Sequence, residues 1–233
     1  MEFEKERAKR VTEMKTYWDE QYSKVSRLWG LKPKETLVQY KNLVLEHGKV
    51  LDLGIGEGRN ALYFAGQGFT VEGVDLSPKA IERCRTAAEE AGLSILTLKE
   101  DLRNYQIEED SYSLIILSNI LNFFNKEEIS EIIQSAKEGL VDQGLIYINA
   151  FDISDPGYEK SKEEYEEVSP NTFYRPKSDS FIHFFTKSEL ERYFSGYKTI
   201  KASQIYSLDM GHGEPHYHGM IELLLQKNEE KQE

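Results

Sequence analysis

Between residues 50 and 60 the chain reads VLDLGIGEGRN: an apolar run, an aspartate, three alternating glycines, and then a segment with helical spacing. A strand that turns within a few residues into a helix needs backbone conformations that glycine adopts without steric cost. The helix start offers unpaired N–H groups, and the absence of side chains on the glycines lets a ligand approach the backbone. This combination selects an open α/β sheet with a nucleotide-like cofactor at the carboxyl ends of its strands. A dinucleotide fingerprint would have glycine or alanine where Arg59 stands, which argues against a nicotinamide cofactor and a reductase.

The rest of the chain repeats that unit. Strands are expected at 49–53, 70–75, 94–98, 112–118 and 144–150, with helices at 59–67, 78–91 and 126–140. Ser77 followed by Pro78, and Asn125 paired with Glu128, mark two helix starts; Thr186 with Glu189 marks a third. Residues 2–27 carry an apolar stripe of Met14, Trp18, Tyr22 and Val25 and predict a lid or docking helix, followed by a second helix over 34–47. Residues 151–180 interrupt the alternation with acidic and turn-forming residues, yet contain Tyr158, Tyr165, Phe173 and Tyr174, and predict an excursion over one face. Two closing strands, near 197–206 and 217–226, are joined by a short connection and so pair antiparallel. The expected architecture is a Rossmann-like, doubly wound α/β fold with a seven-stranded, mostly parallel sheet, an antiparallel last strand and an N-terminal helical extension. In domain terms, 1–47 is the helical segment, 48–226 one globular unit and 227–233 a polar tail.

Composition excludes several function classes. The net charge of −12 repels a phosphate backbone, so small molecules are favoured over nucleic acid as partners. No apolar stretch is long enough to span a bilayer, the N-terminus is charged, and Cys84 is the sole cysteine; a cytoplasmic address without disulfides is the expectation. Cys84 reads as a packed thiol on a helix far from the strand tips. Oligomeric state is not encoded in any of these features.

Three successive strand tips carry polar residues suited to one nucleoside. Asp52 precedes the Gly54–Gly56–Gly58 loop, Asp75 and Leu76 end the second strand where a carboxylate can accept ribose hydroxyls, and Asp101 with Leu102 follows the third. On VLDLGIGEGRNALYFAGQGFTVEGVDLSPKAIE and KEDLRN the chain resembles the class I S-adenosylmethionine-dependent methyltransferases. That resemblance implies S-adenosyl-L-methionine as cofactor, with Asp52 and the glycine loop on the methionine moiety and Asp75 on the ribose. Asp101 and Leu102 would meet the adenine, and Ser118 and Asn119 would border the sulfonium. Asn60, in the first helical turn, joins this set or orients substrate with Arg59. GRNALYFAGQGF, FFTKSELERYF and GEPHYHGMIELLLQK are similar to the tellurite-resistance methyltransferases. YWDEQY and LWGLKP resemble the N-terminal segments that close over the cofactor in thiopurine-type relatives, which points to Tyr17, Trp18 and Trp29.

In the tellurite family a histidine followed by arginine occupies the equivalent of PHYH; here Tyr217 follows His216. His216 is the candidate general base by residue type and position. Alternation puts His216 and His218 on one strand face, where zinc with His212 or Glu214 is conceivable, but methyl transfer requires no metal and none is expected. The expected activity is methyl transfer by in-line displacement to a small-molecule nucleophile such as a thiol or chalcogen oxyanion. The alternative is a catalytically silent module that binds the cofactor or a partner.

Overall fold

The computed structural model describes residues 2–25, 28, 30–46, 48–209 and 215–229, with side chains from Thr12 onward. In chain order, α1 (Glu2–Lys24) and α2 (Glu35–Gln39) precede β1 (Lys49–Leu53), α3 (Arg59–Gly66), β2 (Val71–Asp75), α4 (Pro78–Glu90), β3 (Leu96–Lys99) and β4 (Tyr112–Ser118). There follow α5 (Lys126–Gly139), β5 (Leu140–Phe151), α6 (Pro156–Glu164), β6 (Glu166–Ser169), β7 (Thr172–Arg175) and β8 (Ser180–His183). The chain closes with α7 (Lys187–Tyr193), β9 (Lys198–Asp209) and β10 (His216–Gln226).

Seven strands form one sheet in the order β3-β2-β1-β4-β5-β10-β9, parallel from β3 to β5, with β10 antiparallel to both neighbours. The near-continuous apolar runs of the central strands reflect burial on two faces. Leu51, Leu53, Ile115, Leu117, Ile146 and Ile148 face a layer completed by Ile129, Ile132 and Ile133 of α5. Their neighbours Val50, Leu114, Ile116, Leu145 and Tyr147 face the opposite layer, completed by Phe64 and Ile81. The three sequence-marked helix starts hold: Ser77 Oγ accepts from Ala80 N, Asn125 and Glu128 form a reciprocal capping box, and Thr186 Oγ1 accepts from Glu189 N.

Two segments differ from expectation. The helix expected over 34–47 ends at Gln39, because Tyr40 leaves helical geometry (φ −104°, ψ 13°), and the chain goes on as a 3-10 turn over Lys41–Leu43. The expected excursion is ordered: after α6, β6, β7 and β8 form a separate antiparallel sheet whose turns place Asn171 and Asp179 at φ 60° and 41°. Phe173, Ile182 and Phe184 of this segment pack with Phe123, Trp18 and Phe151. Asn122 clamps it to the main sheet, accepting from Phe151 N and donating to the carbonyls of Phe151 and His183.

The N-terminal helix lies across the carboxyl edge of the sheet. Trp18 meets Phe123 edge-on with centroids 4.8 Å apart. Asp19 accepts from Ser77 Oγ at 2.5 Å and from Lys79 N, at the positive end of α4. Among the described residues, no helix is long and apolar enough to cross a membrane.

Candidate functional site

A cleft opens where the strand order reverses between β1 and β4, the expected place for a ligand in an open α/β sheet. It encloses about 890 Å³ of empty space, its mouth included, and the sheet tips form its floor. Three glycines make the floor possible. Gly54, Gly56 and Gly58 take φ values of 72°, 55° and 84°, and a Cβ on Gly54 would stand 2.8 Å from Ile120. Gly58 caps α3 without a side chain, and a Cβ there would lie 2.6 Å from the Cys84 sulfur. Cys84 is therefore not remote from the strand tips as expected, but packed beneath the loop. Burial pushes its thiol up to about 12, so it stays protonated and unreactive.

Asp52 is 2 % exposed and lines the cleft. Burial pushes its carboxyl up to about 8, against the pull of Arg59 and a hydrogen bond from the Ala61 backbone. It thus anchors the first turn of α3, which no side chain caps locally, and is a neutral acid at pH 7. Asp75 ends β2 with each carboxylate oxygen accepting one backbone bond at 2.9 Å, from Gly56 N and from Ser77 N. Each oxygen keeps a lone pair for a ribose hydroxyl. Burial raises this carboxyl to about 6, with the Ser77 and Gly56 bonds pulling the other way.

Asp101 also lines the cleft, but its carboxylate is gripped by Arg103, whose backbone N, Nε and Nη2 donate at 2.6–3.0 Å. Three N–H donors engage a carboxylate with about four lone-pair sites, so its acceptor capacity toward an exocyclic amine is reduced but not exhausted. Leu102, Ile120 and Phe124 supply an apolar wall beside it, with Leu76 on the β2 side. At the β4 tip, Asn119 adopts φ 57° and its Oδ1 is buried with no hydrogen-bond partner among the described residues, while Ser118 Oγ accepts from Arg59 Nη2 at 3.2 Å. An orphaned acceptor, a ribose-ready carboxylate and an apolar slot fit a polar nucleoside ligand of the S-adenosylmethionine type.

The N-terminal stripe closes the top: Met14, Trp18 and Tyr22 line the cleft. Tyr17 does not; it stacks edge-on against Trp18 and lies under the Arg175 guanidinium, 5.7 Å away. Trp29 falls outside the described residues. Asn60 lines the cleft and its Oδ1 accepts from Lys34 N, which ties the segment before α2 to α3.

His216 is not among the residues lining the cleft. Strand register sets it opposite Asp209, and its Nε2 turns toward Nε2 of His218 at 2.9 Å. Sequence reading also passed over Lys34. Its Nζ donates to Asn149 Oδ1 at 2.6 Å beside the β5 tip, and burial, then the nearby Arg59, lowers its pKa to about 8. Nothing local in GLKPKE marks this lysine, because the partner of its ammonium, Asn149, lies 115 residues away in sequence.

Residues 50–144 match the family described as methyltransferase domain. A probable S-adenosyl-L-methionine-dependent methyltransferase, TehB of Haemophilus influenzae, is 36% identical over 90 residues, covering 39% of this chain and 31% of that protein. The TehB crystal structure matches with a TM-score of 0.66 at 22% identity, over 92% of this chain and 67% of that one. The 2-heptyl-1-hydroxyquinolin-4(1H)-one methyltransferase of Mycobacteroides abscessus is 38% identical over 77 residues, 33% of this chain and 34% of that protein. A structure of a methyltransferase from Methanosarcina mazei matches with a TM-score of 0.69 at 21% identity, over 86% of this chain and all of that one. The chain spans about a third of the length of these curated relatives, and the structural likenesses show the fold.

Proposed function

We propose that this chain, which carries a class I S-adenosylmethionine-dependent methyltransferase domain, transfers a methyl group to a small anionic nucleophile such as a thiolate or a chalcogen oxyanion. S-adenosyl-L-methionine supplies, when bound, a methyl group already activated on a sulfonium. Asp75 would hold its ribose, Leu102 with Ile120 and Phe124 its adenine, and the Gly54–Gly58 loop with Asn119 its methionine end. The remaining work of the chain is to align an acceptor and keep water out, which Trp18 and Phe123 serve from above.

The observation that carries the acceptor class is the charge at the β4–β5 side of the cleft. Arg59 lines the cleft and, among the described residues, its guanidinium is hydrogen-bonded only to the Ser118 hydroxyl; Lys34, not itself a lining residue, is close enough for Arg59 to lower its pKa. Burial raises the Asp52 carboxyl to about 8, which limits how far it cancels the Arg59 charge, while Asp209 and Glu222 partly offset the two cations from the β9–β10 side. Among the described residues no histidine lines the cleft, which favours an acceptor that is already ionised or carries a free lone pair.

The test is product formation, followed by mass spectrometry, across thiols, oxyanions, hydroxyquinolone-type phenols and neutral amines. Anionic acceptors are expected to be methylated, and Arg59→Met is expected to lower kcat/KM about 30- to 100-fold, the scale of one charge-assisted bond of roughly 2–3 kcal/mol. Methylation confined to neutral amines would overturn the acceptor class, and cofactor binding without any product would favour a silent module.

A pH dependence follows from the same groups. Lys34, lowered to about 8, loses its charge as pH rises through that value, and Asp52, raised to about 8, gains a negative one. Both changes weaken anion binding, so KM for an acceptor that is anionic throughout is expected to rise several-fold between pH 7 and 9. Lys34→Met should remove part of that rise, and a KM independent of pH over this interval would contradict the placement of both groups.

A further inference from the structure

His216 and His218 lie on one face of β10, and the register of β9 sets Asp209 directly opposite His216. One ligand atom from each of the three lies within 4.8 Å of the others. The two imidazole Nε2 atoms are 2.9 Å apart, and His218 Nε2 is 4.0 Å from Asp209 Oδ2.

The arrangement behind His218 is as specific. Its Nδ1 meets Asp155 Oδ2 at 2.7 Å, and the same oxygen accepts from Gly219 N at 3.2 Å. Asp155 is itself fixed: it is 6 % exposed and its Oδ1 accepts from Gly157 N as the cap of α6. An ionised carboxylate only accepts, so in the tautomer of His218 that donates Nδ1–H to Asp155 the Nε2 lone pair faces His216, whose Nε2–H is the donor to it. The two Nε2 atoms thus face each other with a carboxylate oxygen alongside.

Bond lengths of 2.0–2.1 Å in a tetrahedral metal site put neighbouring ligand atoms about 3.3 Å apart. The separations of 2.9 and 4.0 Å bracket that value and all three ligand atoms lie within 4.8 Å, so side-chain adjustments of about an ångström would accommodate an ion.

We propose that Asp209, His216 and His218 bind a divalent transition-metal ion of the zinc type, which takes the place of the proton shared by the two imidazoles, with Asp155 as the orienting carboxylate behind His218. Neutral His216 moves its proton to Nδ1 when the metal takes Nε2. Two imidazoles and one carboxylate favour zinc, iron or nickel over magnesium and calcium. A carboxylate hydrogen-bonded to the outer nitrogen of a ligating histidine is the arrangement that fixes tautomer and ring direction in such sites. Three ligands among the described residues make up three of four tetrahedral positions, the fourth being for water or another donor. His216 is then a ligand rather than a base. This inference does not rest on methyl transfer.

The test is titration of chelator-treated protein with Co(II) alone, read by visible absorption, followed by displacement with Zn(II) by calorimetry. One equivalent with ligand-field bands is expected, and Zn(II) is expected to displace it. His216→Ala, His218→Ala and Asp209→Ala should each weaken binding at least 100-fold, and Asp155→Asn about 10- to 100-fold, the usual effect of an outer partner. Affinity for S-adenosylhomocysteine should be unchanged in His216→Ala, which separates this site from the cleft. Thermal unfolding of the metal-free variants checks that each folds; should His218→Ala not fold, His216→Gln at the half-buried position carries the test. No Co(II) bands at millimolar ion, or binding that survives His216→Ala or His216→Gln, overturns the proposal.

Discussion

Asp75→Asn is expected to raise the Kd for S-adenosylmethionine about 100-fold, or roughly 2.7 kcal/mol. The carboxylate offers a free lone pair on each oxygen beyond the bonds from Gly56 and Ser77, and so can accept from both ribose hydroxyls while holding the glycine loop in place. An amide presents one oxygen and a donor, so it loses a ribose bond and meets one of the two backbone N–H groups with another N–H. The same residue predicts acid sensitivity. Burial raises its carboxyl to about 6, and below that pH it protonates and loses acceptor capacity, so cofactor affinity should fall between pH 7 and 5. Isothermal titration of wild type and variant at pH 7.5 and 5.5 measures both effects. A change below threefold at pH 7.5 would remove Asp75 from the cofactor site.

Glu222→Ala is expected to destabilise the fold by about 3–5 kcal/mol, the usual cost of leaving buried partners of a charge unpaired. Glu222, 5 % exposed on β10, accepts from Tyr147 of β5 and Thr36 of α2, each at 2.7 Å, and pairs with Lys201 of β9 at 3.3 Å. The network joins three sheet positions to the segment that delivers Lys34. At roughly 2–4 °C per kcal/mol for a chain of this size, Tm should drop by about 6–20 °C. Burial pushes the Glu222 carboxyl up, but the bonds from Tyr147 and Thr36 and the Lys201 charge outweigh it and hold its pKa below the ordinary value. A depressed folded-state pKa means a contribution complete above the unfolded value, near 4.3, and lost as pH falls through the lower folded one. The Tm gap between wild type and Glu222→Gln should therefore narrow below pH 4, as scanning calorimetry would record. A Glu222→Ala protein within about 2 °C of wild type would contradict the network's role.

The parts of this molecule that were legible in its sequence are those whose cause is local. Apolar runs of five to seven residues became the central strands because both faces are buried, and Ser77, Asn125 and Thr186 marked helix starts because a cap bonds three residues ahead. The strand-tip residues Asp52, Asp75, Asp101, Ser118 and Asn119 line one cleft because parallel strands bring their carboxyl ends together.

What escaped depends on partners distant in sequence. The four-residue strands β6 and β7 are too short for periodicity to show, and their placement rests on turns at Asn171 and Asp179 and on pairing with β8, which Asn122 clamps. Asp101 looks free in KEDLRN, yet the arginine two residues on engages most of its acceptor capacity. Cys84 sits in an ordinary helix, but that helix packs back under Gly58. His216 was read by its neighbours along the strand; its environment is set by Asp209 across the strand pair and, through His218, by Asp155 on another element.

The cleft at the β1–β4 switch as a S-adenosylmethionine site is tested most directly by isothermal titration of the full chain. S-adenosylmethionine and S-adenosylhomocysteine should each bind at one equivalent with Kd at or below about 100 μM, roughly −5.5 kcal/mol, while NADH gives no heat. No binding of either sulfur compound at high micromolar concentration, or tight binding of NADH instead, would contradict it.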